Sequence, residues 1–230
     1  MLAILYDVHG NLAALEAVLR DAEAQGCDSF VLGGDYALFG PQPRETVELL
    51  EALGGDAEWI RGNVDRWTAS PGDAPDDDVV QGAIASCREA LGDELVARLA
   101  SLPEQTVRDG TRYCHASPVS DVRSFMPEPG DDEDELLGDT AERRLVFGHT
   151  HLPFKRNAKA GVELVNPGSV GMPFDGDPRA AYAIVADGGE VEHRRVEYDH
   201  MQTVQAVRDR FSGPFAEKVA ERIERARFIP

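Results

Sequence analysis

Cysteine is scarce in this 230-residue chain and scattered where it occurs: Cys27, Cys87 and Cys114 stand far apart, with no Cys-x-x-Cys pair. That spacing speaks against a disulfide framework or a thiolate metal cluster, and it suits reduced thiols. Basic residues are also few, 23 Lys and Arg against 42 Asp and Glu, for a net charge of −19. Such a balance excludes broad binding along a nucleic-acid backbone, which needs clustered cations. No apolar run approaches the roughly 20 residues of a membrane span. No basic stretch or cleavage pattern precedes the first apolar segment, Leu2-Ala3-Ile4-Leu5. We therefore expect a cytoplasmic protein with no membrane or extended nucleic-acid partner. An acidic surface keeps a protein soluble. It still permits an anionic ligand where bound cations dominate the local potential.

What the chain does have is the apolar content of an ordinary globular protein, 42 % hydrophobic residues beside 28 % charged. The length suits one domain over residues 1–230. The first third alternates strand and helix. Leu2–Tyr6 reads as a strand, Asn11–Ala24 as an amphipathic helix with Leu12, Leu15, Val18 and Leu19 on one face, and Ser29–Gly33 as a second strand. Pro43–Leu53 is a second helix and Ala57–Ile60 a third strand. A βαβαβ opening predicts parallel strands joined by right-handed crossovers. A helical and loop insertion follows around 68–103: Thr68–Asp78 as loop, then Val79–Leu102 as helix, broken near Gly92. Pro127–Asp139 reads as a solvated acidic loop. Beyond residue 151, Phe154–Arg156, Val162–Val165, Tyr182–Val185 and Val191–Val196 alternate with turns, which predicts hairpins and a second sheet packed on the first. C-terminal helices are expected around 201–227, interrupted at Gly213-Pro214.

Five short words follow the apolar runs: Asp7-Val8-His9, Gly34-Asp35, Gly62-Asn63-Val64-Asp65, Cys114-His115 and Gly148-His149-Thr150-His151. Four of the six histidines fall inside them. Taken singly, each word has an ordinary reading as a helix cap, a turn or a packed imidazole. Taken together, each at a strand end, they supply the oxygen and imidazole ligands that two borderline divalent cations require.

On these words the chain resembles the calcineurin-like metallophosphoesterases, and in particular their small bacterial phosphodiesterase branch, which opens on Asp-x-His-Gly-Asn. Asn166-Pro167-Gly168-Ser169-Val170 extends the likeness. The resemblance implies an α/β fold, a four-layer α/β/β/α sandwich with two stacked mixed sheets. It implies that Asp7, His9 and His151 hold one metal ion, that Asn63, His115 and His149 hold another, and that Asp35 bridges them. Asp35, Asn63 and His115 would then be catalytic. The implied reaction is hydrolysis of a small phosphodiester, a nucleotide among the candidates, or of a phosphomonoester, by attack of a metal-bridging hydroxide. Carboxylate, amide and imidazole ligands without thiolate suit Mn, Fe, Ni, Co or Zn. One position departs from much of the superfamily: Val64 stands where many members carry a histidine that protonates the leaving oxygen. Asn11 is the candidate neutral phosphate contact. Arg61 and Arg66 are read first as surface ion-pairing residues, and His193 and His200 as packing or surface residues. A protein serine/threonine phosphatase is the alternative enzyme, disfavoured by short polar loops without a groove for a phosphoprotein. A non-catalytic scaffold on the same fold is the alternative from another class, disfavoured because every implied ligand is present.

Overall fold

The computed structural model describes residues 1–229. In chain order the elements are β1 (Leu2–Leu5), α1 (Leu12–Ala24), β2 (Ser29–Leu32), α2 (Pro43–Glu51), β3 (Ala57–Trp59), α3 (Asn63–Ala69) and α4 (Asp78–Ala100). Then come β4 (Gln105–Arg108), β5 (Thr111–Cys114), α5 (Glu133–Leu137), β6 (Arg144–Val146), β7 (Phe154–Asn157), β8 (Glu163–Asn166), β9 (Ala180–Val185), β10 (Val191–Val196), α6 (His200–Arg210) and α7 (Pro214–Arg225). None of the helices among the described residues is long and apolar enough to cross a membrane.

Two five-stranded mixed sheets result, ordered β10-β9-β1-β2-β3 and β4-β5-β6-β8-β7. β1 pairs in parallel with β2, Leu2 opposite Ser29, and β2 with β3. In the second sheet β5, β6 and β8 run parallel. Ile4, Tyr6, Val31 and Ile60 of the first sheet meet Tyr113, Val146 and Val165 of the second in one buried cluster, so the sheets stack face to face. The outer face of the first sheet buries Leu15, Val18, Val47, Ile84 and Leu91 from α1, α2 and α4. The outer face of the second is covered more thinly, by Leu136 and Leu137 of α5 with Phe125. The order of layers is therefore α/β/β/α, as expected, with a minimal fourth layer.

The structure corrects several boundaries. The hairpin β9–β10 does not join the second sheet. It returns to the first, where β9 pairs antiparallel with β1, Ile4 opposite Ala183. All of Ala180–Ile184 is buried, the pattern of an interior strand and not an edge. The second sheet is completed instead by β4, an edge strand paired with β5, none of whose residues is buried. The Pro127–Asp139 segment is not wholly solvated: Glu133 of α5 is buried, with Arg156 Nη2 2.6 Å from its carboxylate. The Thr68–Asp78 loop is also shorter than expected, because α3 runs on to Ala69. The break in α4 is where Gly92 adopts φ +74°.

Candidate metal centre

Parallel strands put their following loops on one sheet edge, and here five such loops converge. Asp7 and His9 follow β1, Asp35 follows β2, Asn63 opens α3 after β3, His115 follows β5, and His149 and His151 follow β6. The loops are stitched together by the backbone: His9 N–H donates to Asp35 O at 2.8 Å, Gly10 N–H to Tyr36 O at 2.9 Å, and Gly148 N–H to His115 O at 2.8 Å. Asp7, His9, Asp35, His149 and His151 all have φ between +50° and +65°. Left-handed backbone is costly for a residue with a side chain and persists where its surroundings enforce it. Two glycines permit the close approach. A Cβ on Gly62 would overlap Asp35 Oδ1, and one on Gly148 would lie 2.6 Å from Asp7 Oδ2.

Two groups of ligand atoms lie within 4.8 Å of one another, Asp7/His9/His151 and Asp35/His115/His149. Asp35 faces both: Oδ2 is 3.8 Å from His9 Nε2 and Oδ1 is 3.4 Å from His115 Nε2. Asn63 Oδ1 sits 2.8 Å from His115 Nε2 and 3.0 Å from His149 Nδ1. Asp7 Oδ1 is 3.7 Å from His151 Nε2 and 4.0 Å from His115 Nε2. Six of the seven residues are buried, and His149 is partly so.

The protonation pattern of the chain fits cations at this place. His9 Nδ1 donates to Leu38 O at 3.0 Å and His151 Nδ1 to Met172 O at 2.5 Å, since carbonyls only accept. Burial pushes both imidazoles below their ordinary pKa, so both are neutral. Their Nε2 lone pairs then face each other at 3.1 Å. Two acceptors at that separation repel unless a cation lies between or beside them. Asp7 is similarly exposed to the problem: burial drives its carboxyl well up, and its buried Oδ1 has no hydrogen-bond partner. At His115 burial opposes the charged ring, but the Asp35 carboxylate beside it, aided by Asp7, raises it to about 10. The proton on His115 holds the place of a cation, and metal binding would release it. His149 goes the other way: burial, then the charge of His115, lowers it to about 4.

Not every expected residue joins the centre. Asn11 caps α1 by accepting from Ala14 N–H at 3.2 Å. Its amide donates to Gly171 O at 2.8 Å and to Tyr198 Oη at 3.0 Å, and its carbonyl also accepts from Thr203 Oγ1 at 3.3 Å. Both amide hydrogens are committed, so the expectation of a phosphate contact is corrected to that of a brace between the first loop and the C-terminal helices. Arg66 forms a two-pronged pair with Asp121 at 2.7 and 2.9 Å, and Arg61 pairs with Glu104 at 2.5 Å, the surface roles expected of them. His193 Nε2 donates to Asn166 O at 2.7 Å, away from the ligand groups.

Three residues inside the recognised words hold the centre without belonging to it. Asp65 accepts from Asp35 N–H at 2.9 Å, Gly62 N–H at 2.8 Å and Tyr36 N–H at 3.2 Å, tying the second loop to the start of α3. Asn166 Nδ2 donates to Gly148 O at 3.0 Å, and Ser169 Oγ to Asp7 O at 2.7 Å. Their presence in the motifs was visible; their role is not, because it depends on backbone groups tens of residues distant. A cleft of about 410 Å³ opens over His9, Asp35, Asn63, His149 and His151, with Val64, Trp67 and Met172 in its walls.

A two-sheet sandwich with carboxylate, amide and imidazole ligands gathered at the carboxyl ends of its strands defines a metal-dependent phosphoester hydrolase. The comparisons agree. Residues 1–187 match the model of the calcineurin-like phosphoesterase superfamily domain, and the chain belongs to that family. It is 31 % identical over 223 residues to MJ0912 of Methanocaldococcus jannaschii, covering 86 % of this chain and 88 % of that one. It is also similar to the crystal structure of a metallophosphoesterase from Sphaerobacter thermophilus, at 29 % identity and TM-score 0.81 over 98 % of both chains. The fold alone is shared with protein PH1004 of Pyrococcus horikoshii OT3, at 21 % identity and TM-score 0.85 over the full length of both.

Proposed function

We propose that the chain hydrolyses a small phosphodiester, a nucleotide ester among the candidates, or a phosphomonoester, at a centre of two divalent cations. The observation that carries this reading is the pair of ligand groups on either side of Asp35, which turns one carboxylate oxygen toward each. Asp7, His9 and His151 would hold one ion, and Asn63, His115 and His149 the other, with Asp35 shared. The absence of thiolate in this donor set suits Mn, Fe, Ni, Co or Zn. When bound, such a pair acidifies a water and neutralises charge on the phosphoryl oxygens.

The chain's own residues supply position. The backbone carbonyls of Leu38, Gly33 and Met172 fix the imidazoles of His9, His115 and His151 through Nδ1, which orients Nε2 toward the centre. Val64 N–H donates to Asp35 Oδ1 at 3.1 Å and steadies that oxygen. The side chain of Val64 has no proton to give, so the departing oxygen must rely on charge stabilisation or on its own low basicity. We read residues 1–230 as one domain, since α7 packs on α6 and α4, and we assign the protein to the cytoplasm.

The test is reconstitution. Protein stripped of metal and refilled with Mn should bind two ions per chain by elemental analysis and hydrolyse members of a panel of aryl and nucleotide mono- and diesters. One ion per chain with full activity would refute the two-metal reading, and no hydrolysis of any ester would refute the function.

A further inference from the structure

Above the metal centre, six side chains close a ring. His9 and His151 stand 4.8 Å apart between ring centroids, and Phe174 stacks on His151 at 4.3 Å. Phe228 follows at 5.7 Å from Phe174, and the guanidinium of Arg222 lies 4.7 Å from Phe228. Arg222 is 5.9 Å from Phe39, and Phe39 is 5.7 Å from His9, which completes the circuit. All six line the one cleft, with Arg222 across from the histidine pair.

Arg222 is unusual within this acidic chain. Two arginines are buried, Arg144 and Arg222. Arg144 pairs with Glu163 at 2.5 Å. Arg222 is only 7 % exposed, yet among the described residues no carboxylate lies within ion-pair distance of it. Its Nε donates to Ile229 O at 2.8 Å, and no acceptor among the described residues meets its two terminal nitrogens. Asp77 is the acid that acts on it from the cleft rim, and that carboxylate already caps α4 through Val79 and Val80 N–H. A largely desolvated guanidinium with no ion-pair partner among the described residues is costly to keep. Contact with two aromatic faces offsets part of that cost and holds the planar fork in place. What remains are terminal N–H groups without an acceptor among the described residues, on a side chain that lines the cleft shared with His9, Asp35, Asn63, His149 and His151.

We propose that Arg222 and its aromatic frame form a subsite for a second anionic group on the substrate, so that the chain selects ring-bearing diphosphate-type compounds over simple monophosphate esters. This rests on the metal-centre reading given above. A guanidinium recognises phosphate bidentately, and Phe39, Phe174 and Phe228 give a planar group apolar faces to lie against. Arg222 belongs to α7, beyond the matched family segment, so the selectivity is a property of this chain's C-terminal helix.

Calorimetric titration of the Mn-loaded protein with adenosine 5′-monophosphate and with its non-hydrolysed α,β-methylene diphosphate analogue tests this without turnover. The wild type should bind the diphosphate analogue at least tenfold more tightly. Arg222→Gln should reduce that ratio below threefold, while Arg225→Gln, an exposed residue of the same helix, keeps it. Arg222→Lys retains charge without the fork and should lose at least threefold of the ratio, which serves if the glutamine variant does not fold. No preference in the wild type, or an unchanged ratio in either folded Arg222 variant, would overturn the proposal. Hydrolysis of the ester panel is read separately. Hydrolysis with an unchanged ratio overturns the subsite alone, and a changed ratio without hydrolysis supports the subsite while the assigned reaction falls.

Discussion

A single methyl group should separate the centre from the fold that carries it. Gly62 has an ordinary backbone conformation, so alanine is tolerated by the main chain there. Its Cβ, however, would overlap Asp35 Oδ1 and lie 2.5 Å from Asp35 N and 2.9 Å from Asp35 Cγ. Contacts that short force the carboxylate or the loop to move by something like an ångström. Overpacking of this kind costs roughly 1–3 kcal/mol, and the stiffer unfolded chain of Gly→Ala returns about 0.4–1 kcal/mol. The net loss is then of order 1–2 kcal/mol, a fall in Tm of about 2–8 °C for a domain of this size. The catalytic loss should be far larger, because misplacing a reacting group by about 1 Å costs roughly 10²-fold. None of the seven proposed ligands is itself replaced. Gly55, with nothing within 4 Å of an added Cβ, is the control: the same substitution there should leave stability unchanged or slightly raised and activity intact. Differential scanning calorimetry, elemental analysis and kcat/KM on an aryl diester read the three quantities. Gly62→Ala with wild-type metal content and wild-type kcat/KM would refute the claim that Asp35 is held against Gly62 at a shared metal position.

Other expectations follow from the same geometry. Asp35→Ala should lose most metal binding and nearly all hydrolysis; two ions retained on that variant by elemental analysis would remove Asp35 from the bridging position. Acid should destabilise the metal-free protein through His149, whose folded pKa of about 4 lies below the ordinary 6.5. The unfolded ring takes up the proton first, so this stability is complete above pH 6.5 and is lost as pH falls toward 4. About 3 kcal/mol is at stake, measured as the difference in urea unfolding between wild type and His149→Gln across that window; parallel pH curves would contradict it. Because Val64 cannot donate a proton, the rate should depend steeply on leaving-group pKa, general acids being worth roughly 10²–10⁴-fold to poor leaving groups. Val64→His should flatten that slope in a series of aryl and alkyl esters, and a shallow slope in the wild type would show that another group already acts as the acid.

The convergence of the candidate ligands was legible before the fold was known. Asp7, His9, Asp35, Asn63, His115, His149 and His151 each sit directly after a short apolar run, and parallel strands deliver their loops to one edge whatever the details. Sheet membership was harder. The alternation in Val191–Val196 marks a hairpin, but period two says nothing about which edge accepts it, and β9 was free on sequence grounds to join either sheet. What decided the matter is burial on both faces of Ala180–Ile184, a property of the assembled layers. Asn11 shows the complementary error. A polar side chain beside a metal motif invites a ligand role, yet its hydrogen bonds are taken by Gly171, Tyr198 and Thr203, 160 to 192 residues away.

The left-handed backbone at five of the seven proposed ligand positions makes the same point from the other side. Aspartate and histidine do not announce a positive φ as glycine does, so the strain at Asp7, His9, Asp35, His149 and His151 has no signature in composition or spacing. It exists because neighbouring loops bond to one another's backbone and because Gly62 and Gly148 leave room for carboxylates where a Cβ would stand. Arg222 lies at the far end of this scale. It sits in a helix of ordinary amphipathic pattern, among charged residues that look solvated, and only the closing of α7 over Phe39 brings it into the cleft. The candidate ligands are thus written in short words near the strands, while the proposed selectivity rests on a segment that has no word at all. Exchanging C-terminal helices between relatives that share the motifs should therefore move substrate preference and leave metal content unchanged.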